Sequence, residues 1–454
     1  MNRTLGIGPV GVPAQADALH RQLAANPGDR ISRHNLAVEL RNLCRSEEAL
    51  VEIERAWADG LHYAETAVMR GNLLADAGRF DEAIEAYREA TRIKPDLIEP
   101  HVVLASLLPQ LGRKDEALDT FHEALRRVPE NGPIWAQAMV TARGHGNYAQ
   151  LLDWTAAAEA RWGQDPLIET YQAIALSGLD RDAEALAVVD GLLAREPNYS
   201  GALTTRAHIM LRQGDPAAAA LAAERAAQLV PTDQAAWSLL GVAWRLLDDP
   251  REHWLCDYDN LVMPIDIGTD PDIRAVLEGR HAVSAQPADQ SLRGGTQTRG
   301  NLFETLDPVI LALALALRNA AQSRIAQLPH DPKHPFLSRN TGEISFPTSW
   351  SVRLRSEGFH VSHIHQVGWM SSAYYASLPP EVAAGSGQGA LAFGVPDAAL
   401  KLDLPPRRVV QPKEGTLVLF PSYLWHGTTP FESEQPRITV AFDMLPVDNG
   451  GGQG

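Results

Sequence analysis

Apolar and polar positions follow two rhythms along this chain. In the first half they keep a helical spacing and recur every 34 residues. The stretch "AGRFDEAIEAYREATRIKPD", from Ala77, aligns with "LGRKDEALDTFHEALRRVPE", from Leu111. Gly78 falls on Gly112, Ala83 on Ala117, Tyr87 on Phe121 and Pro95 on Pro129. The register continues through Gly146, Pro197, Gly214 and Pro231, and back to Ala49 and Pro27. It breaks where Asp180 stands in a glycine's place. Each period reads as two helices. The glycine supplies a left-handed residue where the first helix ends. The small alanine lets the two helices approach, and the proline stops the second. About six units fill residues 28 to 232, with 131–165 degenerate enough to be irregular. The stretch "QAAWSLLGVAWRLL" (234–247) reads as a helix that caps the stack.

The pattern fades near "DDPREHW" (248–254). "ADQSLRGGTQTRGNLF" (288–303) reads as loop. "DPVILALALALRNAAQSRIAQLP" (307–329) reads as one long helix with Asp307 as its N-cap. Beyond residue 340 the period changes to two. "SWSVRLRS", "MSSAYYASL", "GALAFGV", "GTLVLFP" and "RITVAFDML" are short, β-rich and separated by turn residues. Strands this closely spaced predict a small sandwich or barrel. The expected organisation is multidomain: an N-terminal extension (1–27), an all-α solenoid (28–250), a linker with the start of the catalytic region (251–306), and an α+β domain (307–454) in which a helix packs on a β-barrel.

Composition narrows the function classes. With 40 Lys and Arg against 56 Asp and Glu, the net charge is −16, which disfavours nucleic acid or an anionic membrane as the main partner. Two distant cysteines, Cys44 and Cys256, make neither a disulfide framework nor a thiolate zinc site, and fit a reducing, cytoplasmic setting. The N-terminus lacks the continuous apolar run of a signal peptide. No stretch reaches the roughly 18 apolar residues of a membrane span, and "VILALALAL" (309–317) reads as part of a buried helix.

The 34-residue pattern resembles the tetratricopeptide repeat, whose units cannot bury their apolar faces alone and therefore stack into a solenoid. That resemblance implies a groove for a peptide or another protein. The solenoid could equally dimerise the chain or prop up the second domain. Its histidines, His34, His62, His101, His122 and His145, are scattered and read as surface or packing residues.

Candidate chemistry lies in the second half. "HVSHIHQVGW" (360–369) places His363 and His365 two apart, so that on a strand both rings face one side. His426 follows 63 residues after His363, in "FPSYLWHGTTPF", and Arg437 and Thr439 open "RITVAF". As a set these resemble the 2-oxoglutarate- and Fe(II)-dependent oxygenases over roughly residues 340 to 446, closest to the prolyl-hydroxylase-like branch. "GGTQTRGNLF", the long helix, "HIHQVGWMSSAYY" and "LVLFPSYLWHG" together resemble a bacterial group of such oxygenases, some with tetratricopeptide repeats in front. The resemblance implies a double-stranded β-helix, or jelly roll. It implies Fe(II) on His363, His365 and His426, O₂ as cosubstrate, and 2-oxoglutarate held by Arg437 with the hydroxyls of Thr439 and Tyr375. The residue types suit these roles. Fe(II) needs a few ligands on one side and open positions opposite, and a guanidinium can grip a carboxylate with two charge-assisted hydrogen bonds.

One departure matters. The usual facial triad is His-x-Asp/Glu with a distant His, but His365 stands where the carboxylate is expected. Three readings stay open: a three-histidine triad, two histidines with water, or an offset site that involves His360. Trp350, Trp369 and Trp425 fall near the metal-bearing strands, and Arg353 and Arg355 share one face of "SVRLRS". Trp369, Trp425 and Arg353 are candidates for a substrate pocket. The expected function is a 2-oxoglutarate-dependent hydroxylase acting on a peptide, a protein or a small molecule. The competing readings are a catalytically degenerate scaffold and a three-histidine dioxygenase that does not use 2-oxoglutarate.

Overall fold

The structure is a computed structural model that describes residues 6–113, 116–282 and 291–447. First helices of successive pairs begin at Arg30, Ala64, Ile98, Gly132, Pro166 and Ser200, and the capping helix at Gln234, each 34 residues after the last. The segment read as degenerate is regular after all: Gly132–Gly144 and Tyr148–Trp162 form an ordinary pair. Its apolar residues Ile134, Ala138, Leu151 and Ala158 are fully buried. Packing therefore holds the helices where the consensus residues are weak.

The break at Asp180 also resolves. Cys44, Gly78, Gly112, Gly146, Asp180, Gly214 and Asp248 lie one period apart, and all have positive φ. Asp180 takes the left-handed turn at φ 59°, which aspartate tolerates better than most side chains. The backbone requirement repeats even where the glycine does not.

Among the described residues, nine strands form two sheets. The larger has the order β1(Met263–Asp266)–β7(Thr416–Pro421)–β4(Met370–Ser377)–β9(Arg437–Pro446)–β3(Ile344–His360)–β2(Leu292–Gln297). The smaller has the order β6(Arg408–Val410)–β5(Leu391–Phe393)–β8(His426–Thr428). The five strands expected from alternation are all present. β2 corrects the reading of 288–303 as loop, whose first three residues lie outside the described residues. Its glycines suit a close neighbour: a Cβ on Gly295 would press on the Arg353 carbonyl of β3. The long helix runs Pro308–Ile325, and Asp307 caps it by accepting from the amides of Val309 and Ile310 at 3.0 and 3.3 Å. No helix among the described residues is long and apolar enough to cross a membrane.

The chain gathers into two compact units. One holds the repeats as far as Thr141 together with Thr296–Ala314. The other holds Ala142–Arg274 and Leu315 onward, so the last repeats share a unit with the sheets. Within this second unit the loop between β5 and β6 lies against two first helices. Arg245, on Gln234–Leu246, donates to the carbonyls of Gly394 and Pro405, both at 2.6 Å. Arg212, on Ser200–Arg212, donates to the Ala399 carbonyl. Lys401 pairs with the turn residue Asp180 at 2.6 Å.

Candidate metal centre

β9 organises the site. Its alternate residues Arg437, Thr439, Ala441 and Asp443 share one face. Register extends that face to the neighbours: Thr439 lies opposite Tyr375 on β4 and Val352 on β3, and Asp443 lies opposite Ser371 and Thr348. Paired residues of antiparallel strands point to the same side. Ile438, Val440, Phe442 and Met444 fill the other face and are fully buried.

The histidines stand over this face. The segment between β3 and β4 is irregular, not the expected strand, but two contacts hold it extended. His363 pairs with His426 through both backbone amides, at 3.0 and 3.1 Å, and the His365 amide donates to the Ser422 carbonyl at 3.0 Å. The two-residue spacing therefore still brings both rings to one side. One ring nitrogen from each of His363, His365 and His426 lies within 4.8 Å of the other two. Ring centroids are 4.3 to 5.2 Å apart.

Hydrogen bonds set the tautomers. Nδ1 of His363 faces the Val361 carbonyl and Nδ1 of His426 the Leu424 carbonyl, both at 2.9 Å. Nδ1 of His365 faces Oδ1 of Asp443 at 2.6 Å. Each acceptor can only accept, so each Nδ1 carries a hydrogen, and a neutral ring in this tautomer offers its lone pair at Nε2. The Nε2 atoms of His363 and His365 face each other at 3.2 Å. Nε2 of His363 is also 3.3 Å from the Ser291 hydroxyl, and a metal cation would satisfy both ring nitrogens. Burial, then the neighbouring His365, holds the His363 imidazole down at about 3. Burial, then the neighbouring rings, holds His426 well below its ordinary value. Neutral imidazoles in this arrangement fit a transition metal such as Fe(II).

His360 ends β3 apart from this set. Its ring is 6.2 Å from that of His363, and its Nδ1 lies 3.3 Å from the Thr428 hydroxyl. The geometry favours the three-histidine reading over the offset one.

At the other end of the β9 face, Arg437 is 2% exposed. Its guanidinium carbon lies 5.1 Å from the Tyr375 ring centroid. Nε and Nη1 of Arg437 and the Tyr375 hydroxyl are buried without a well-formed hydrogen bond, although phenol and guanidinium are close enough to interact with each other. Burial lowers the affinity of this guanidinium for its proton and raises the Tyr375 phenol above its usual value. The phenol therefore stays protonated and able to donate. Orphaned buried donors are rare and costly in a finished core, and these suit an incoming carboxylate.

The three residues read as a substrate pocket do not converge on the histidines. Trp369 is a core residue that stacks on Phe336 at 4.9 Å and donates to its carbonyl at 2.9 Å. Trp425, next to His426, lines a small cavity together with Val242, Arg245 and Tyr258. Arg353 lies opposite Ile438, on the face away from Arg437 and Thr439. Trp350 is the tryptophan at the centre: half-buried, opposite Ala441, its ring stacked on His365 at 5.9 Å. Asp443 was not singled out from sequence, although alternation from Arg437 and Thr439 in "RITVAFD" puts it on their face.

The two-sheet domain thus brings together three convergent histidines that could hold a metal ion and a buried arginine with unused donors. Residues 348–443 match the family model described as "Putative 2OG-Fe(II) oxygenase", and the sheet-rich domain is consistent with that fold. Residues 74–140 match a tetratricopeptide-repeat model. No curated protein matches the chain. Similar solved structures are repeat proteins. A tetratricopeptide repeat protein from Parabacteroides merdae is 17% identical over 50% of this chain and 90% of its own, with a TM-score of 0.32. YrrB, described as a TPR protein with an unusual peptide-binding site, is 19% identical over 41% and 97%, with a TM-score of 0.30. Yeast Tom70 is 17% identical over 52% and 59%, with a TM-score of 0.33.

Proposed function

We propose that the sheet-rich domain is an Fe(II)- and 2-oxoglutarate-dependent oxygenase, most simply a hydroxylase, built as a jelly roll. The observation that carries this reading is Arg437, a buried cation with unused donors on the strand face that also backs the histidine cluster. His363, His365 and His426 would hold the iron through Nε2. Arg437 would take the far carboxylate of 2-oxoglutarate, with the Tyr375 and Thr439 hydroxyls beside it. When bound, Fe(II) and 2-oxoglutarate supply the oxidising chemistry, consuming O₂ and releasing succinate and CO₂. The chain's own part is to orient both and to offer a substrate surface. Half-buried Trp350 and the 80%-exposed Val367 beside His365 suit that surface.

The last repeats brace the sheets through Arg212, Arg245 and Lys401. We assign recruitment of a peptide or protein to the earlier repeats. The test is spectroscopic. Anaerobic protein loaded with Fe(II) should develop a weak visible charge-transfer band on titration with 2-oxoglutarate, and Arg437→Ala should abolish it. A band that never forms would favour a degenerate scaffold or a dioxygenase that does not use 2-oxoglutarate.

A further inference from the structure

We propose that Asp443 performs, one residue removed from the metal, the charge-balancing part that a ligand carboxylate plays in the usual facial triad. This rests on reading the three histidines as a metal site. Three neutral imidazoles leave a divalent ion with one more positive charge than two imidazoles and a carboxylate would. The chain supplies the missing anion from β9, 78 residues beyond His365.

The contact is a built one. Oδ1 of Asp443 accepts from Nδ1 of His365 at 2.6 Å and from the Ser371 hydroxyl at 2.7 Å. Ser371 is in turn 2.9 Å from the Ser422 hydroxyl, and the Ser422 carbonyl holds the His365 amide. Ligand and carboxylate therefore sit in one hydrogen-bonded frame. Gly368 is required in it, because a Cβ there would collide with the Ser422 hydroxyl and crowd Oδ1 of Asp443. The other two histidines lean on carbonyls, which are neutral. The charged acceptor thus falls on the histidine that occupies the carboxylate's sequence position. A carboxylate behind an imidazole fixes the ring, enriches its donor nitrogen and places negative charge near the metal.

The experiment is a titration of the full chain with Co(II) alone, followed by visible absorption and calorimetry without 2-oxoglutarate. Asp443→Asn keeps an accepting oxygen and removes the charge. It should weaken Co(II) binding on the order of 10-fold and shift the cobalt bands, while leaving unfolding of the metal-free protein near wild type. Asp443→Ala removes both and should cost about 100-fold. If Asp443→Ala does not fold, Asp443→Asn still decides the matter. Wild-type affinity and spectrum in Asp443→Asn would overturn the proposal, as would absence of Co(II) binding by the wild type. Failure of the oxygenase reading looks different: the wild type would bind metal and show no 2-oxoglutarate-dependent band.

Discussion

β9 carries a buried cation, Arg437, and a half-buried anion, Asp443, six residues apart on one face, and they differ in what surrounds them. Asp443 has its partners within the chain: His365 and Ser371 both donate to it. Arg437 has none for Nε and Nη1, although it is the more deeply buried. Buried polar groups are normally satisfied, since leaving one unpaired costs about 1–3 kcal/mol, and more for a charge. The Asp443 end is thus complete as protein and, in the reading proposed above, would serve a metal indirectly. In the same reading the Arg437 end would become complete when a ligand arrives.

The strongest way to break that comparison is at the histidines. His426→Ala leaves two imidazoles and is expected to reduce metal retention by more than about 100-fold, measured as Fe(II) remaining after desalting. Substitutions at Arg437 should leave retention within a few-fold, roughly. If they strip the metal as well, the two ends are not separate. Next comes Arg437→Met. Loss of one partner of a buried charge pair costs about 2–5 kcal/mol, so 2-oxoglutarate affinity should fall on the order of 100-fold in calorimetry. In the cosubstrate-free protein the same change should be neutral or should raise unfolding stability by about 1–3 kcal/mol, because an unpaired buried cation is removed. A loss of stability of that size would show that the guanidinium is already paired.

Residues that act through local spacing were readable from sequence. The 34-residue period located the helices, and alternation found β3, β4, β5, β7 and β9. His363, His365 and His426 could be grouped because the signal was the residue type itself. The misses have a common cause. The left-handed residue at Asp180 is a backbone property that no side-chain pattern announces. β2 carries glycines because β3 passes close by, so its composition mimics a loop. Trp369, Trp425 and Arg353 were candidates by proximity in sequence, but one step along a strand reverses the direction of a side chain. Asp443 was hidden because its partner is 78 residues away. The period-two rule that joins Arg437 and Thr439 in "RIT" also puts Asp443 on their face in "RITVAFD".

The finest test uses β4, where two hydroxyls mirror the two ends of β9. Ser371 stands opposite Asp443 and Tyr375 opposite Thr439. The Ser371 hydroxyl already donates to Asp443, whereas the Tyr375 hydroxyl is buried without a well-formed hydrogen bond. Ser371→Ala should therefore lower the stability of the metal-free protein by about 1 kcal/mol and weaken Co(II) binding by roughly 2- to 5-fold through a looser Asp443. Tyr375→Phe removes a hydroxyl that makes no well-formed hydrogen bond in the empty site, its neighbour being the Arg437 guanidinium. It should leave metal-free stability unchanged or slightly higher, leave Co(II) affinity alone, and weaken 2-oxoglutarate binding by about 5-fold, the worth of one neutral hydrogen bond. Chemical denaturation and two titrations on each variant give the pattern. If Tyr375→Phe costs as much stability as Ser371→Ala, the phenol has a partner within the protein, and the Arg437 end would be as complete as the Asp443 end.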